Sequence, residues 1–221
     1  MRLLIFGTGG LSRLAAYTLA RDAGHEVCAL TVHRRCIDAA RIDDLPVVAF
    51  EDIATTHPPS HHAMLAPIGW RGMCGLRARI LDEGRRNGYR FVNHLSPRAL
   101  APAELLLGDN SMVYEAAVIQ PFVRLGENCI VRSGALLSHD VQVGDHGFIA
   151  AHATVGGGAV LGDRCVIGLA ATVCSGVRVA PRCFVAAGAV LTVDTEPDGI
   201  YRGNPARRSR LSSDQIDRLR I

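Results

Sequence analysis

From Val113 to Leu191 an aliphatic residue returns at every sixth position. The column runs Val113, Ile119, Leu125, Val131, Leu137, Val143, Ile149, Val155, Leu161, Ile167, Val173, Val179, Val185 and Leu191. With roughly one residue in three aliphatic, fourteen such residues in a row arise by chance on the order of 10⁻⁷ of the time. A second column, four residues further on, holds something small or slim: Ala117, Val123, Cys129, Ala135, Val141, Gly147, Ala153, Ala159, Cys165, Ala171, Val177, Cys183 and Ala189. One large and one small inward position per hexapeptide is the pattern of a parallel β-helix, whose short strands and turns wind around a thin aliphatic core. An α-helix cannot hold a strict period of six, and the separate strands of a sandwich would alternate with period two. Gly126, Gly144, Gly156, Gly162 and Gly168 directly follow an aliphatic position, where a turn can use the conformational freedom of glycine.

The repeat occupies less than half of the 221 residues, which predicts two domains and a tail: 1–95, a β-helix over 96–205, and 206–221. A net charge of +3, with acids and bases interspersed, argues against a nucleic-acid or membrane surface. The seven cysteines are odd in number and form no CxxC pair. Three of them, Cys129, Cys165 and Cys183, fall in the small inward column as slim hydrophobes, which points to a reducing compartment. The apolar run at Leu3–Phe6 is too short for a signal peptide or membrane span, so the expected location is the cytoplasm.

The first 95 residues alternate strand and helix signals, the mark of a small parallel sheet covered by helices. Leu3–Phe6 leads into Gly7-Thr-Gly-Gly10 and then a helical stretch from Leu14 to Ala20, with Val27–Val32 as the second strand. Strand, glycine turn and helix in this order open a nucleotide-binding unit, in which backbone N–H groups face a phosphate. Ser12 stands at the third glycine of that fingerprint, and Thr31-Val32-His33 supplies no acid for a ribose. These departures argue against a conventional NAD site and leave a tight turn without a ligand as the alternative. Further strands are expected at Leu45–Phe50, Met64–Ile68 and Tyr89–Val92. A helix is expected over Arg71–Asn87, with Leu76, Ala78, Ile80 and Leu81 inward, Arg77, Arg79, Glu83 and Arg85 largely outward, and Gly88 ending it. After the repeat, Ile200–Arg208 reads as irregular, and Ser212 or Ser213 as the cap of a short helix over Asp214–Ile221.

A β-helix converts sequence spacing into geometry, because residues about eighteen apart stack on adjacent coils. This places the His139 imidazole beside the backbone of Gly157, in a run of three glycines, Gly156 to Gly158. A base beside an exposed N–H suits acyl transfer, one deprotonating the attacking group and the other receiving the oxyanion. A solvated surface histidine is the alternative for His139, and it is the favoured reading for His146 and His152 at the turns. These three histidines do not have the spacing of a β-helical metal site.

The stretch Leu137-Ser-His-Asp-Val-Gln-Val-Gly-Asp145 with Phe148 to Gly157 resembles bacterial sugar acyltransferases, including sialic-acid O-acetyltransferases and the N-acetyltransferases of bacillosamine and perosamine nucleotides. The glycine turn at Gly7–Gly10, Ile68-Gly69 and Gly203-Asn-Pro-Ala206 extend the likeness over nearly the whole chain. The resemblance implies an N-terminal Rossmann-like α/β domain on a left-handed β-helix, assembled as a homotrimer with acetyl-CoA between neighbouring helices. It further implies His139 as general base, Asp140 as its supporting acid and Gly157 as oxyanion donor. Acetyl-CoA contacts would fall on Phe148, Leu169 and Ala187, and contacts to a sugar or sugar nucleotide on Gly9, Gly10, Leu11 and Gly69. The chain departs from the family in Val32-His33 in place of an acid pair, Phe148 and His152 in place of His and Gly, and Trp70-Arg71 in place of Asp-Asn. Arg207 and Arg208 are candidates for CoA phosphates. The competing functions are a nucleotide-binding trimeric scaffold without catalysis and a metal-dependent hydratase.

Overall fold

The computed structural model describes residues 1–22 and 24–218. Its N-terminal part is built on β1 (Arg2–Phe6), α1 (Gly10–Asp22), β2 (Glu26–Val32), β3 (Arg41–Ile42), β4 (Leu45–Ala49), α2 (Ile53–Thr56), β5 (His62–Leu65) and α3 (Gly75–Arg86). The sheet order is β3-β4-β2-β1-β5, parallel throughout except for the β3–β4 pair. Three expectations shift. The helix expected from Arg71 begins only at Gly75, because Gly72, Met73 and Cys74 all take positive φ (61°, 48° and 61°) and cannot join a right-handed helix. Arg77 faces inward: it shares the helical stripe of Ile80, Leu81 and Gly84 and is fully buried. The stretch Tyr89–Val92 forms a single parallel bridge, Phe91 to Met64, rather than a strand.

The second part is the coil. Fifteen two-residue strands from Leu106–Leu107 to Val190–Leu191 stack into three parallel faces, each strand pairing with the one eighteen residues on, as in Arg124↔Gln142, Ile130↔Phe148 and Leu136↔Thr154. Every residue of the large inward column lies in one buried cluster, together with the small column apart from Gly147. Pairing starts at His94–Leu95, which bonds to Met112–Val113. One residue per hexad takes the left-handed conformation, three places after the inward aliphatic: Asn110, Ala116, Phe122, Asn128, Gly134, Asp140 and so on to Gly188. The glycines immediately after the aliphatic column serve a different need from the one expected. They are not the positive-φ residues; a Cβ at Gly126 would lie 2.9 Å from the Asp145 nitrogen on the next coil. Close approach of coil to coil selects glycine there.

One face of the coil is covered. Its outward residues Met112, Ile130, Phe148, Val166, Phe184 and Ile200 are buried in a cluster with Leu3, Ile5, Met73, Cys74 and Ile216. Trp70 packs on Phe184 with ring centroids 5.2 Å apart. We call this the docked face, and the others the second and third faces in chain order after it: Val118–Ile119 to Val190–Leu191, then Leu106–Leu107 to Arg178–Val179. Ile200–Arg208 is not irregular: Gly199–Arg202 and Arg207–Ser212 form an antiparallel hairpin that extends the docked sheet. Its turn closes the end of the coil, with Ala206 N–H donating to Val190 O and Val190 N–H to Gly203 O. A 3₁₀ turn over Ser213–Arg218 replaces the start of the expected last helix, whose residues 219–221 lie outside the described residues.

Candidate active site

The turn leaving the second face carries Ser138, His139 and Asp140. Leu137 is held in the core, and the left-handed Asp140 (φ 59°) turns the chain so that both side chains point outward. The His139 Nδ1 to Asp140 Oδ2 distance is 2.9 Å. A carboxylate on that side holds the proton on Nδ1 and leaves the Nε2 lone pair free. Gln120, one coil earlier, fixes the turn: its Oε1 accepts from the Ser138 hydroxyl at 2.8 Å and from the His139 N–H at 2.9 Å. The eighteen-residue spacing that relates Gln120 to Ser138 was available in the sequence, and Gln120 belongs to the site.

On the following coil the Gly157 backbone lies against the imidazole. A Cβ there would sit 2.7 Å from His139 Nε2 and 2.8 Å from Cε1. The neighbouring Gly158 N–H donates to His139 O at 2.9 Å, and Gly157 O accepts from Gly176 N–H at 2.9 Å. The Gly157 N–H has no acceptor among the described residues. A free base nitrogen and a free backbone donor therefore lie side by side on the surface, with the His139 and Asp140 side chains 62% and 60% exposed.

A second feature is a cavity of about 590 Å³ at the carboxyl ends of β1, β2 and β5, the position where open α/β sheets take ligands. Gly9, Gly10, Leu11 and Gly69 all line it. Gly9 and Gly10 face open space, while Ser12 folds back, its hydroxyl donating to Phe6 O at 3.3 Å. His33, where a ribose-binding acid would stand, is held between Glu51 and Glu83 at 3.4 and 3.7 Å. Arg35 and Arg79, which no sequence motif marks as site residues, also line the cavity, and neither side chain has an ion pair or hydrogen bond among the described residues.

The remaining candidates separate. Leu169 (59% exposed) and Ala187 stack at the corner between the docked and second faces, with Gly188 N–H donating to Leu169 O at 2.8 Å. Phe148 is apart from them: it is 6% exposed, within the docked face. His139, His146 and His152 occupy the three different corners of the coil. Among the described residues, no three His, Cys, Asp or Glu side chains are grouped to hold a metal. His146 is not freely solvated: its Nδ1 accepts from Asn128 Nδ2 at 2.9 Å, and burial pushes the imidazole pKa down. His152 is exposed beside Gly134. Burial pushes the Cys129 and Cys165 thiols up to about 12, as befits core packing. Arg208 pairs with Glu196, while Arg207 is exposed.

No protein-family model matches the sequence, and comparison with curated proteins finds no match. Solved structures do match. The acetyltransferase domain of PglB from Neisseria gonorrhoeae FA1090, in complex with acetyl coenzyme A, superposes with a TM-score of 0.85 at 23% identity, over 94% of this chain and 98% of that one. PerB from Caulobacter crescentus, in complex with CoA and GDP-perosamine, gives 0.86 at 24%, over 95% and 97%. WeeI from Acinetobacter baumannii AYE gives 0.65 at 17%, over 95% and 100%. The chain shares their fold. That fold is the left-handed β-helix of sugar N-acetyltransferases, and the coil described above is therefore left-handed.

Proposed function

We propose that this protein is an acetyl-CoA-dependent acetyltransferase acting on an amino or hydroxyl group of a sugar or nucleotide-linked sugar. The observation that carries the proposal is the packing of the His139 Nε2 against the backbone of Gly157 on the next coil, a residue whose N–H is unengaged among the described residues. His139 takes the proton as the acceptor nitrogen or oxygen attacks the thioester carbonyl, and Asp140 supports the imidazolium. The Gly157 N–H receives the oxyanion. Collapse of the tetrahedral intermediate breaks the C–S bond, and His139 returns the proton to the departing CoA thiolate. General-base catalysis of this kind contributes about 10²–10⁴ in rate. Two structural relatives were solved with a histidine of the perosamine N-acetyltransferase replaced by Asn or Ala, in complex with CoA and GDP-perosamine, which fits a histidine at the centre of the chemistry.

Residues 1–95 act as a Rossmann-like acceptor domain, 96–205 as the acyltransferase coil and 206–221 as the tail. The 590 Å³ cavity with Gly9, Gly10, Leu11 and Gly69 receives the acceptor, and the free guanidiniums of Arg35 and Arg79 suit an anionic, phosphate-bearing one. Leu169 and Ala187 meet acetyl-CoA, and Arg207, exposed and bonded only to the Ala206 carbonyl among the described residues, is placed to meet its phosphates. Within one chain Leu169 and Ala187 lie at one edge of the second face and His139 at the other, so a second copy must complete the site. That face presents Val118, Leu136, Thr154, Thr172 and Val190, all half-buried and uncharged, which supports a homotrimer in which copies meet through it. All seven cysteines are free, and no helix among the described residues is long and apolar enough to cross a membrane; both are compatible with the cytoplasm.

Thermal stabilisation tests the binding half of the proposal. Acetyl-CoA at 100 times its Kd adds about 2.7 kcal/mol, so a clear rise in Tm is expected for both the wild type and His139→Ala. The absence of a rise with any acyl-CoA would leave a non-catalytic scaffold as the better reading.

A further inference from the structure

The least expected side chain in the molecule is Arg77. It is fully buried, and among the described residues no carboxylate pairs with it. An uncompensated buried cation is costly, so it persists only where its hydrogen bonds are fully met. Carbonyl oxygens meet them here. Nε donates to Asn128 O at 3.0 Å, Nη1 to Ile68 O at 2.7 Å and Gly69 O at 3.5 Å, and Nη2 to His146 O at 2.8 Å and Gly147 O at 3.0 Å. The guanidinium carbon lies 6.0 Å from the centre of the Phe148 ring, which gives that buried aromatic a place in the same arrangement. Two of these acceptors, Ile68 and Gly69, belong to the cavity wall. The other three belong to turns of two adjacent coils.

A second clamp holds the same segment. Asn110 Oδ1 accepts from the Ala66 N–H at 2.8 Å, and its Nδ2 donates to Ala66 O at 3.4 Å and to Asn128 Oδ1 at 2.7 Å. The backbone N–H fixes the orientation of the Asn110 amide. That in turn sets Asn128 to donate to His146. Adhesion between the two parts of the chain is already supplied by the apolar docked face. The polar clamps converge instead on residues 66–69, one edge of the cavity.

We infer that Arg77 is a positioning residue for the acceptor site, bolting the Ile68–Gly69 edge of the cavity to the coil so that an acceptor bound there is held in fixed register with the catalytic turns. This rests on the reading of the cavity as the acceptor site. Lysine offers a point charge in place of a planar fork, so Arg77→Lys keeps the charge but cannot span carbonyls on both sides. Asn110→Gly is the second variant, in case the first does not fold: it removes the Ala66 clamp and retains the left-handed backbone at that residue (φ 57°).

Hydrogen exchange by mass spectrometry and steady-state kinetics with a nucleotide-linked 4-amino sugar decide the matter. In the folded variants, amide exchange in 66–70 is expected to rise at least 10-fold, with 137–140 and 155–158 unchanged. The acceptor KM is expected to rise at least 10-fold and kcat to fall with it, with the acetyl-CoA KM within 2-fold. Exchange that rises evenly over the protein, or a lowered Tm with an unaltered acceptor KM, would reduce Arg77 to a structural brace and overturn the inference. If the wild type transfers no acetyl group to any sugar, the functional reading fails, and the clamp stands or falls on the exchange pattern alone.

Discussion

Adding one methyl group at Gly157 probes the geometry of the site more sharply than deleting a side chain. A Cβ at this position would lie 2.7 Å from His139 Nε2 and 2.8 Å from Cε1, whereas non-bonded heavy atoms settle at roughly 3.5–4.0 Å. The ring must therefore retreat by about 0.7–1.3 Å to reach ordinary contact. His139 is exposed and can swing outward, and Gly157 does not occupy the left-handed region, so little folding stability is at stake. The catalytic register is what suffers: a misplacement of about 1 Å can cost about 10² in rate. Gly157→Ala is expected to lower kcat by about 10²-fold while its Tm stays within about 2 °C of the wild type, roughly 0.5–1 kcal/mol. Gly158→Ala is the control. A Cβ there meets nothing within 4 Å but must be carried at φ 68°, at a cost of about 1 kcal/mol or roughly 2–4 °C, with kcat retained. The assay is CoA thiol release at saturating acceptor, beside differential scanning fluorimetry. Full activity in Gly157→Ala, or equal losses in both variants, would refute the placement of the base against Gly157.

Three further outcomes follow from the same structure. Arg35→Gln and Arg79→Gln each remove one charge-assisted contact, so the acceptor KM should rise about 10-fold and become less sensitive to salt, while the acetyl-CoA KM holds; kinetics at two ionic strengths check this. Leu137→Ala empties a fully buried inward position and should cost about 2–5 kcal/mol, a fall of roughly 4–20 °C in Tm. The third concerns acid stability. His146 is held neutral as an acceptor, with its pKa lowered by burial. Its contribution is therefore complete above the unfolded value of 6.5 and is lost as pH falls below it, because the unfolded chain takes up that proton more readily than the folded one. His146→Gln should reduce the proton uptake on unfolding near pH 5.5 by up to about one, measured from urea midpoints across pH; an unchanged pH slope would show that the ring is not held neutral.

The coil was legible because a β-helix has one fixed translation from rung to rung. His139 and Gly157 are eighteen residues apart, and strand pairing throughout the coil keeps that interval, so the contact follows from the spacing. The same ruler reaches Gln120. It does not say why a glycine recurs: the left-handed turn positions hold Asn, Asp, His, Arg, Ala and Phe as well as Gly134, Gly158, Gly176 and Gly188, whereas the glycines directly after the aliphatic column stand where the next coil comes too close for a Cβ. The N-terminal part has no such ruler. Residue type alone puts Arg77 on the outside, although its position in α3 places it on the stripe of Ile80 and Leu81; only the converging carbonyls of two distant segments make its burial tenable. The hairpin after Gly199 was hidden for a related reason, since its partner is an edge that the coil itself creates.

The most direct measurement compares acetyl transfer by the wild type and His139→Ala, with acetyl-CoA and a panel of nucleotide-linked amino sugars, following thiol release and the mass of the acceptor together. Transfer by the wild type to at least one acceptor, and a loss of about 10²–10⁴ in kcat for His139→Ala with acetyl-CoA still bound, is the expected result. Near-normal turnover in His139→Ala would contradict the assignment of the base, and with it the role given to the contact between His139 and Gly157.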